Sequence, residues 1–410
     1  MEPHPLTVRI DLAAPATLAT HVAPPLTVLH LVANRWWTGS ADPVLRLLEG
    51  LRRRGHRTLL GVIPGDRFEA KAREAGFDPL PGLSLTPRLA PLTFLRDVAR
   101  LRRAVRAERV DVIHVHHSHD HWLATIVGAG TQRRRPVPIV RTFHNLRSVR
   151  GGRLERWLYR RTAAAFAVSR QIEARCRDVG RPGFRVVWTP GTADLPRFTP
   201  DVDGTPIREE FKLGEAPVVV TVSRLAANRG HELLLNAFRL VLATLPDARL
   251  LLVGKGETRA RLEQTVVEMG LAGQVIFTGY RDRDLPGVLA AADCFALMAS
   301  GSEDSCRAAL EAMAAARPVV ARRVGALPET IVHGRTGFLV DGDRPELVAS
   351  ALAAVLADRE RARAMGRAGR DRVTTEFGPD HSVTIVEQVY LQVADPRRHH
   401  LAGPATGRGA

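Results

Sequence analysis

From Leu26 onward, short apolar runs alternate with longer amphipathic stretches almost without interruption. The runs LTVLHLVA, RTLLGVI, VDVIHVHH, PIVRTF, AFAVS and FRVVW are brief, continuous and rich in Val, Ile and Leu, which predicts buried strands. Between them lie segments such as DPVLRLLEGLRRRGH, whose apolar positions recur at helical spacing. Continuous apolar strands between amphipathic helices predict parallel sheets covered on both faces. The rhythm breaks over Thr189–Ala216, a Pro-, Gly- and Asp-rich stretch that reads as a linker, and resumes at PVVVTVS. The second half then offers ARLLLVG, QVIFTG, DCFALM, RPVVAR and GFLV as strands, with helices starting near Gly230, Thr258, Leu285, Ser305, Leu327 and Arg344. The predicted fold class is α/β: two Rossmann-like parallel-sheet domains facing each other across a cleft. The expected boundaries are a tail over residues 1–25, an N-terminal domain over 26–192, a C-terminal domain over 193–378, a last helix over 379–395 and a second tail over 396–410.

At 410 residues the chain suits two domains of about 150 to 190 residues, each able to bury its own core. No run approaches the roughly 18 to 20 apolar residues that a spanning helix needs. The start, MEPHPLTVRIDLAAP, has neither a basic leader region nor a clean apolar one, so a cytoplasmic protein is expected. Cys176, Cys294 and Cys306 are odd in number and widely spaced, which predicts thiols rather than a disulfide framework or a paired metal site. Charge is distributed unevenly. Through Pro190, Lys and Arg outnumber Asp and Glu by 32 to 15, whereas the remainder holds 27 against 28. The excess is carried by Arg, because the only lysines are Lys71, Lys212 and Lys255. A basic half implies an acidic partner: an anionic membrane surface, a phosphorylated acceptor or nucleic acid. Nucleic acid is not expected, since aromatics are only 5% of the chain and sit mostly in apolar runs rather than among the basic residues.

Several positions carry candidate chemistry. Glu303 and Glu311 lie eight residues apart, the first on a Gly/Ser-rich turn after a strand and the second inside the following helix. Carboxylates at two depths of one crevice could grip the two ends of a sugar nucleotide, with the helix N-terminus turned toward its phosphates. The alternative is an acidic helix start that complements the macrodipole. Arg224 directly follows the strand VVVTV and Arg229 opens the next helix, a spacing that could clamp a diphosphate and stabilise it as a leaving group. Solvated surface arginines are the competing reading. Gly39 sits in the first strand-to-helix turn, where a missing Cβ lets backbone approach a ligand, and Trp36 and Trp37 beside it could stack on a sugar or cover an apolar edge.

Histidines crowd HVHHSHDHW (His114, His116, His117, His119, His121) and RTFHN (His144). The first run crosses from a strand end into a predicted loop and contains no HExxH, so no metal is expected there. Strand ends instead deliver His116 and His144 to the carboxyl edge of the sheet, where His144 could exchange a proton with a substrate hydroxyl. Asp282-Arg283-Asp284, the triplet Asp341–Asp343 and Gly254-Lys255-Gly256 are too short to stand as metal or dinucleotide motifs, and the aspartates fall where helix caps are common.

Taken in order, Gly39, RTFHN, SRLAANRGH, LLLVGKGETRARL, the Glu303/Glu311 pair and GALPETIVHGRTGFLV resemble the family 4 retaining glycosyltransferases of the GT-B fold, over about residues 26–395. The resemblance implies a C-terminal domain that binds a nucleotide-diphosphate sugar and an N-terminal domain that holds a hydroxyl acceptor. Arg224 and Arg229 would hold the donor diphosphate, Glu311 the ribose and Glu303 the donor sugar. Gly39, Ser305 and Cys306 would line the donor, and His144 would lie near the sugar's 6-hydroxyl and the reacting centre. His144, Glu303, Arg224 and Arg229 would form the catalytic group. It also implies retention of anomeric configuration, no metal and no cofactor beyond the nucleotide sugar, and a last segment, HSVTIVEQVYLQVA, that crosses back to the first domain. The acceptor would be a glycan or a lipid-linked envelope precursor, reached at the inner face of the cell membrane through the basic half.

The chain departs from the family pattern in three places. Arg229 stands where Lys is usual, Asp304-Ser305-Cys306 replaces a Gly-Phe-Gly run, and Pro190-Gly191-Thr192-Ala193-Asp194 lacks the usual Asn. Two other functions are compatible with the same residues: a sugar-nucleotide epimerase, and a basic membrane- or nucleic-acid-binding module with a decayed transferase site.

Overall fold

Each apolar run becomes a strand in the computed structural model, which describes residues 24–34, 41–86, 91–128, 136–299 and 306–394. The first half supplies β1 (Thr27–Val32), β2 (Arg57–Val62), β3 (Val112–Val115), β4 (Ile139–Phe143), β5 (Thr162–Ala167) and β6 (Val186–Trp188). They pair in parallel in the order β2-β1-β3-β4-β5-β6. The second half supplies β7 (Val218–Val222), β8 (Arg249–Val253), β9 (Val275–Gly279), β10 (Cys294–Leu297), β11 (Val319–Arg322) and β12 (Gly337–Val340). Their order is β12-β11-β10-β7-β8-β9, again parallel. The described residues therefore form two six-stranded α/β sheets.

Runs without polar alternation suit these strands because helices cover both faces. Val28, Leu29 and Leu31 in β1 and Val218, Val219 and Val220 in β7 have no solvent exposure. The order of each sheet reverses once, between β1 and β3 in the first and between β7 and β10 in the second. At a reversal the connections leave in opposite directions, opening a crevice at the carboxyl edge.

The final helix, Pro379–Ala394, comes from beyond the second sheet yet packs on the first. Val383, Val386, Val389 and Tyr390 enter a cluster with Val28, Val112, Val140 and Phe166. Full burial of each valine contributes about 1.5–3 kcal/mol of hydrophobic stabilisation. Gly50, on the helix Asp42–Arg53, lets this crossing helix approach: a Cβ there would lie 2.4 Å from Val383 Cγ2. His56 reinforces the contact. Its Nδ1 accepts the Leu26 N–H, so its Nε2–H donates to Glu387 on the crossing helix, at 2.7 Å.

The Thr189–Ala216 stretch is more than a linker. It contains the helix Thr205–Glu210, and Phe198, Ile207 and Leu213 are buried in the core of the second half. These apolar anchors are too far apart to produce a period, so the stretch looks irregular in sequence. Among the described residues no helix is long and apolar enough to cross a membrane. The three cysteines are buried and none forms a disulfide.

Glu329, in the short helix Leu327–Thr330, fastens the two halves together. Its Oε1 accepts the Arg170 N–H at 2.7 Å and its Oε2 accepts the Trp188 indole N–H at 3.0 Å, with the Arg170 guanidinium 4.2 Å over the Trp188 ring. Glutamine has one accepting oxygen for these two donors. Glu329→Gln is therefore expected to lower unfolding stability by about 1–3 kcal/mol, read from urea denaturation, and an unchanged midpoint would contradict this account of the interface.

Candidate functional site

In the first half, the crevice is lined with histidine. His30 and His114 are direct partners across β1 and β3, and His116 follows two residues later on the same face of the chain. His30 Nδ1 lies 3.3 Å from His116 Nε2, and His116 Nδ1 lies 3.2 Å from His144 Nε2, at the end of β4. His114 reaches Thr142 Oγ1 at 2.7 Å and the Tyr390 hydroxyl of the crossing helix at 2.5 Å. Asp120 ties the ends of β1 and β3 together by accepting the N–H groups of Ala33 and His117, each at 3.1 Å. His116, Thr142 and His144 face a cavity of about 60 Å³, lined also by Pro190–Thr192, the helix Asp42–Arg53 and the crossing helix.

These rings are neutral. Burial, with the nearby His117 and Arg141 charges, holds His144 down to about 3, and burial alone holds His30 to about 3. Burial and their imidazole neighbours keep His114 and His116 well below the usual histidine range. Arg141 lies beneath them, 2% exposed, donating to His121 Nδ1 at 2.8 Å and to Ser118 Oγ, with its guanidinium over Phe143. A fixed cation at this depth opposes any further positive charge.

The segment after His117 is helical where a loop was expected: the helix Ser118–Gly128 starts at once and carries His119 and His121. His121 is buried, and because its Nδ1 accepts from Arg141, its Nε2–H donates to Thr162 Oγ1. Histidine spacing alone hid both facts. Among the described residues, His30, His114 and His116 place one ring nitrogen each within 4.8 Å of the others. The expectation of no metal overlooked this cluster, because His30 lies far away in sequence and joins it only through strand pairing.

In the second half, the loops after β7 and β8 interlock through close backbone approach. Gly254, at φ 149°, and Gly256 each leave room where a Cβ would lie 2.0 Å from a carbonyl oxygen, that of Ser223 and of Leu225. Gly254-Lys255-Gly256 is thus a packing device. Arg224 is exposed and pairs with Glu257 at 2.9 Å. Arg229 is half-buried and precedes Gly230, whose left-handed backbone (φ 71°) sits against the Met298 carbonyl just after β10. The β7 and β10 loops therefore meet at the reversal point. His231, absent from the expected set, hydrogen bonds with Ser223 Oγ at 3.0 Å, and burial with the Arg229 charge holds it down to about 4.

Glu311 lies in the helix Arg307–Ala314 and is 5% exposed. Its Oε1 accepts from Arg307 Nε at 2.7 Å. Burial pushes its carboxyl up, Arg307 and Arg197 draw it down, and Asp42 of the first half pushes it up again. Its electrostatic neighbours thus lie across the cleft, in its own helix and, through Arg197, in the Thr189–Ala216 stretch. Cys306, where the family pattern has glycine, is held at φ 46°, so the left-handed backbone survives at a cost of about 1–2 kcal/mol. Gly39, Trp36, Trp37, Glu303, Asp304 and Ser305 lie outside the described residues. The aspartates set aside in the sequence pair with arginine rather than capping helices through their side chains: Asp284 with Arg281, Asp282 with Arg197, Asp341 with Arg323 and Asp343 with Arg322.

Residues 205–372 match the family Glycosyl transferases group 1, and residues 37–195 match Glycosyltransferase Family 4. The chain is 30% identical to a D-inositol 3-phosphate glycosyltransferase of Jonesia denitrificans, over 72% of this chain and 75% of that protein. It is 37% identical to a GDP-mannose-dependent alpha-(1-6)-phosphatidylinositol monomannoside mannosyltransferase of Mycolicibacterium smegmatis, over 50% of this chain and 55% of that protein. The chain thus spans little more than half the length of this relative. The fold matches Anabaena Alr3699/HepE in complex with UDP and glucose, at a TM-score of 0.74 and 21% identity over 88% of this chain and 98% of that one.

The neutral histidines make stability depend on pH. In the unfolded chain they take up protons below about pH 6.5, whereas in the folded chain they resist protonation, so stability is complete above that value and falls as pH drops toward 3. Urea midpoints are expected to decline steadily between about pH 6.5 and pH 4, and a flat profile would show that these rings protonate freely in the folded state.

Proposed function

The chain belongs to the family 4 glycosyltransferases of the GT-B fold, and from that premise we propose that it moves a sugar from a nucleotide-diphosphate sugar to a hydroxyl acceptor with retention of configuration and without a metal. The observation that carries the reading is the placement of the candidate groups at both strand-order reversals: His116 at one, with His144 against it from the end of β4, and Arg224, Arg229 and the Glu311 helix at the other. Arg224 and Arg229 hold the diphosphate. Arg224 is suited to this because its present partner, Glu257, is exposed to water and readily exchanged. Glu311 takes the ribose hydroxyls, Glu303 with Gly39, Ser305 and Cys306 lines the sugar, and His144 stands beside the reacting centre. The leaving phosphate, charge-stabilised by the two guanidiniums, helps to deprotonate the acceptor. No protein nucleophile or cofactor takes part. The relatives named above are transferases and lend the epimerase alternative no support. Their printed acceptors favour an inositol-bearing hydroxyl compound, free or lipid-linked.

The basic half faces an anionic membrane from the cytoplasm through the helix Pro91–Ala107. Leu92 and Leu95 are 73% and 61% exposed, and Arg96, Arg103 and Arg106 are exposed on the same helix. The one acid in this helix, Asp97, is buried and spent on the N–H groups of Ser84 and Leu85. Apolar side chains beside exposed arginines suit the interface of an anionic bilayer, where each Arg contributes about 1 kcal/mol.

Thermal-shift screening against UDP-, GDP- and ADP-sugars is expected to reveal one stabilising donor. Arg224→Ala and Glu311→Ala should each weaken that donor by about 10- to 100-fold, with transfer unaffected by chelators, and donor affinity unchanged in both variants would end this assignment. Co-sedimentation with vesicles containing anionic phospholipid is expected for the native chain and not for a Leu92→Asp, Leu95→Asp double variant. Equal binding by the two proteins would move the membrane contact elsewhere.

A further inference from the structure

Thr142, His114, Tyr390, His30, His116 and His144 stand in a series whose longest step is the one between Tyr390 and His30. Thr142 Oγ1 lies 2.7 Å from His114 Nε2, and His114 Nδ1 lies 2.5 Å from the Tyr390 hydroxyl. That hydroxyl is 3.5 Å from His30 Nε2, His30 Nδ1 is 3.3 Å from His116 Nε2, and His116 Nδ1 is 3.2 Å from His144 Nε2. Every nitrogen of the three inner rings is used. A neutral imidazole has one N–H and one lone pair, so each ring must donate on one side and accept on the other. With the Tyr390 hydroxyl donating to one ring and accepting from the other, the whole series runs in a single direction. Both ends, Thr142 and His144, line the same cavity, so the series leaves that cavity, passes through the core by way of the crossing helix and returns.

We propose that this series is a hydrogen-bonded relay of fixed polarity that gives Thr142 and His144 opposite hydrogen-bonding character toward the cavity, so that the cavity selects a hydroxyl-bearing ligand over an anion. The spacing at Tyr390 sets the direction. A hydroxyl donates over the shorter distance, so the 2.5 Å contact is its O–H to His114 Nδ1 and the 3.5 Å contact is its acceptance from His30 Nε2–H. All four rings then carry their proton on Nε2. His114 donates to Thr142 Oγ1, which frees the Thr142 O–H for the cavity, while the remaining nitrogen of His144, Nδ1, accepts. One hydroxyl of a polyol can accept from Thr142 while it or its neighbour donates to His144. A carboxylate or phosphate oxygen only accepts and would face the His144 lone pair, and burial opposes the ring protonation that would relieve the conflict. Tyr390, His30 and His116 are positioning residues acting through His144 and Thr142. The inference rests on the proposed role of His144 at the reacting centre and deepens it by naming the ligand chemistry.

The test is long-range nitrogen–proton correlation on the full chain labelled with ¹⁵N-histidine at neutral pH, with resonances assigned by single substitutions. His30, His114, His116 and His144 are all expected as the Nε2–H tautomer. Tyr390→Phe keeps the ring and its packing but cuts the relay, so mixed tautomers should appear on both sides of the cut, acceptor KM should rise about fivefold and donor Kd should stay constant. Opposite tautomers among the four rings of the native chain, or resonances unmoved in Tyr390→Phe, would overturn the relay. So would one equivalent of tightly bound metal per chain, which would make His30, His114 and His116 ligands. Transfer unchanged in His144→Ala would remove the ligand-facing role and the functional reading beneath it, whatever the tautomers show.

Discussion

Strand order reverses at β1 and β3 in one sheet and at β7 and β10 in the other, and what is distinctive about this chain depends on those two reversals. A parallel sheet covered by helices has no free face, so its accessible backbone lies at the strand ends. Only at a reversal do the adjacent connections part and leave room for a ligand. His30, His114 and His116 share the first reversal because β1 pairs with β3 although about 80 residues separate them in the chain. The Arg224–Arg229 loop and Met298, just after β10, meet at the second for the same reason. The crossing helix then makes the first reversal depend on the far end of the chain, since Tyr390 is part of its hydrogen bonding.

A cluster of histidines beside a buried arginine would be unstable if the rings were charged. Burial lowers the Arg141 pKa, yet a guanidinium stays charged under ordinary conditions, and from the face of β4 opposite His144 it favours neutrality in His144 and His117. Neutral rings are adaptable donors and acceptors, and the cluster satisfies them among themselves and with Thr142 and Tyr390 rather than with carboxylates. The polar interior is thereby compatible with a core otherwise made of Val, Ile, Leu and Phe. A carboxylate partner in the same place would raise ring pKa values and introduce charge where desolvation is most costly.

The strands were legible because parallel strands are apolar on both faces and stand out against arginine-rich helices. The six helix starts read in the second half fall within two residues for the same reason, whereas the helices Thr205–Glu210 and Arg359–Glu376 were not anticipated. The histidine network was only partly so. The strand period places His114 and His116 on one face, but nothing local joins them to His30 or Tyr390, because pairing across the sheet and the return of the last helix are set by tertiary packing. The helix Ser118–Gly128 was missed because the polar run HSHDH hides its buried positions, His121 among them. Phe198, Ile207 and Leu213 anchor Thr189–Ala216 one at a time, without a period to detect. Arg307 was also passed over, although its place four residues before Glu311 makes it the natural i,i+4 partner.

That pair bears on how the proposed donor site would work. A carboxylate as buried as Glu311 tends to take up a proton, and a protonated carboxyl is a poorer acceptor for ribose hydroxyls. Arg307 counteracts this by donating to Oε1 from the same helix, so the ionised form is supported before any nucleotide arrives. Asp42 pushes the other way from the opposite half of the cleft, and its own carboxylate is engaged by Arg46, which also reaches Asp194. Burial remains the largest influence on Glu311, Arg307 the main one opposing it, and Asp42 a smaller one that comes from the other half. In the proposed reading, the nucleotide-binding carboxylate is therefore linked electrostatically to the opposite half of the cleft, through Asp42 as well as through its own helix.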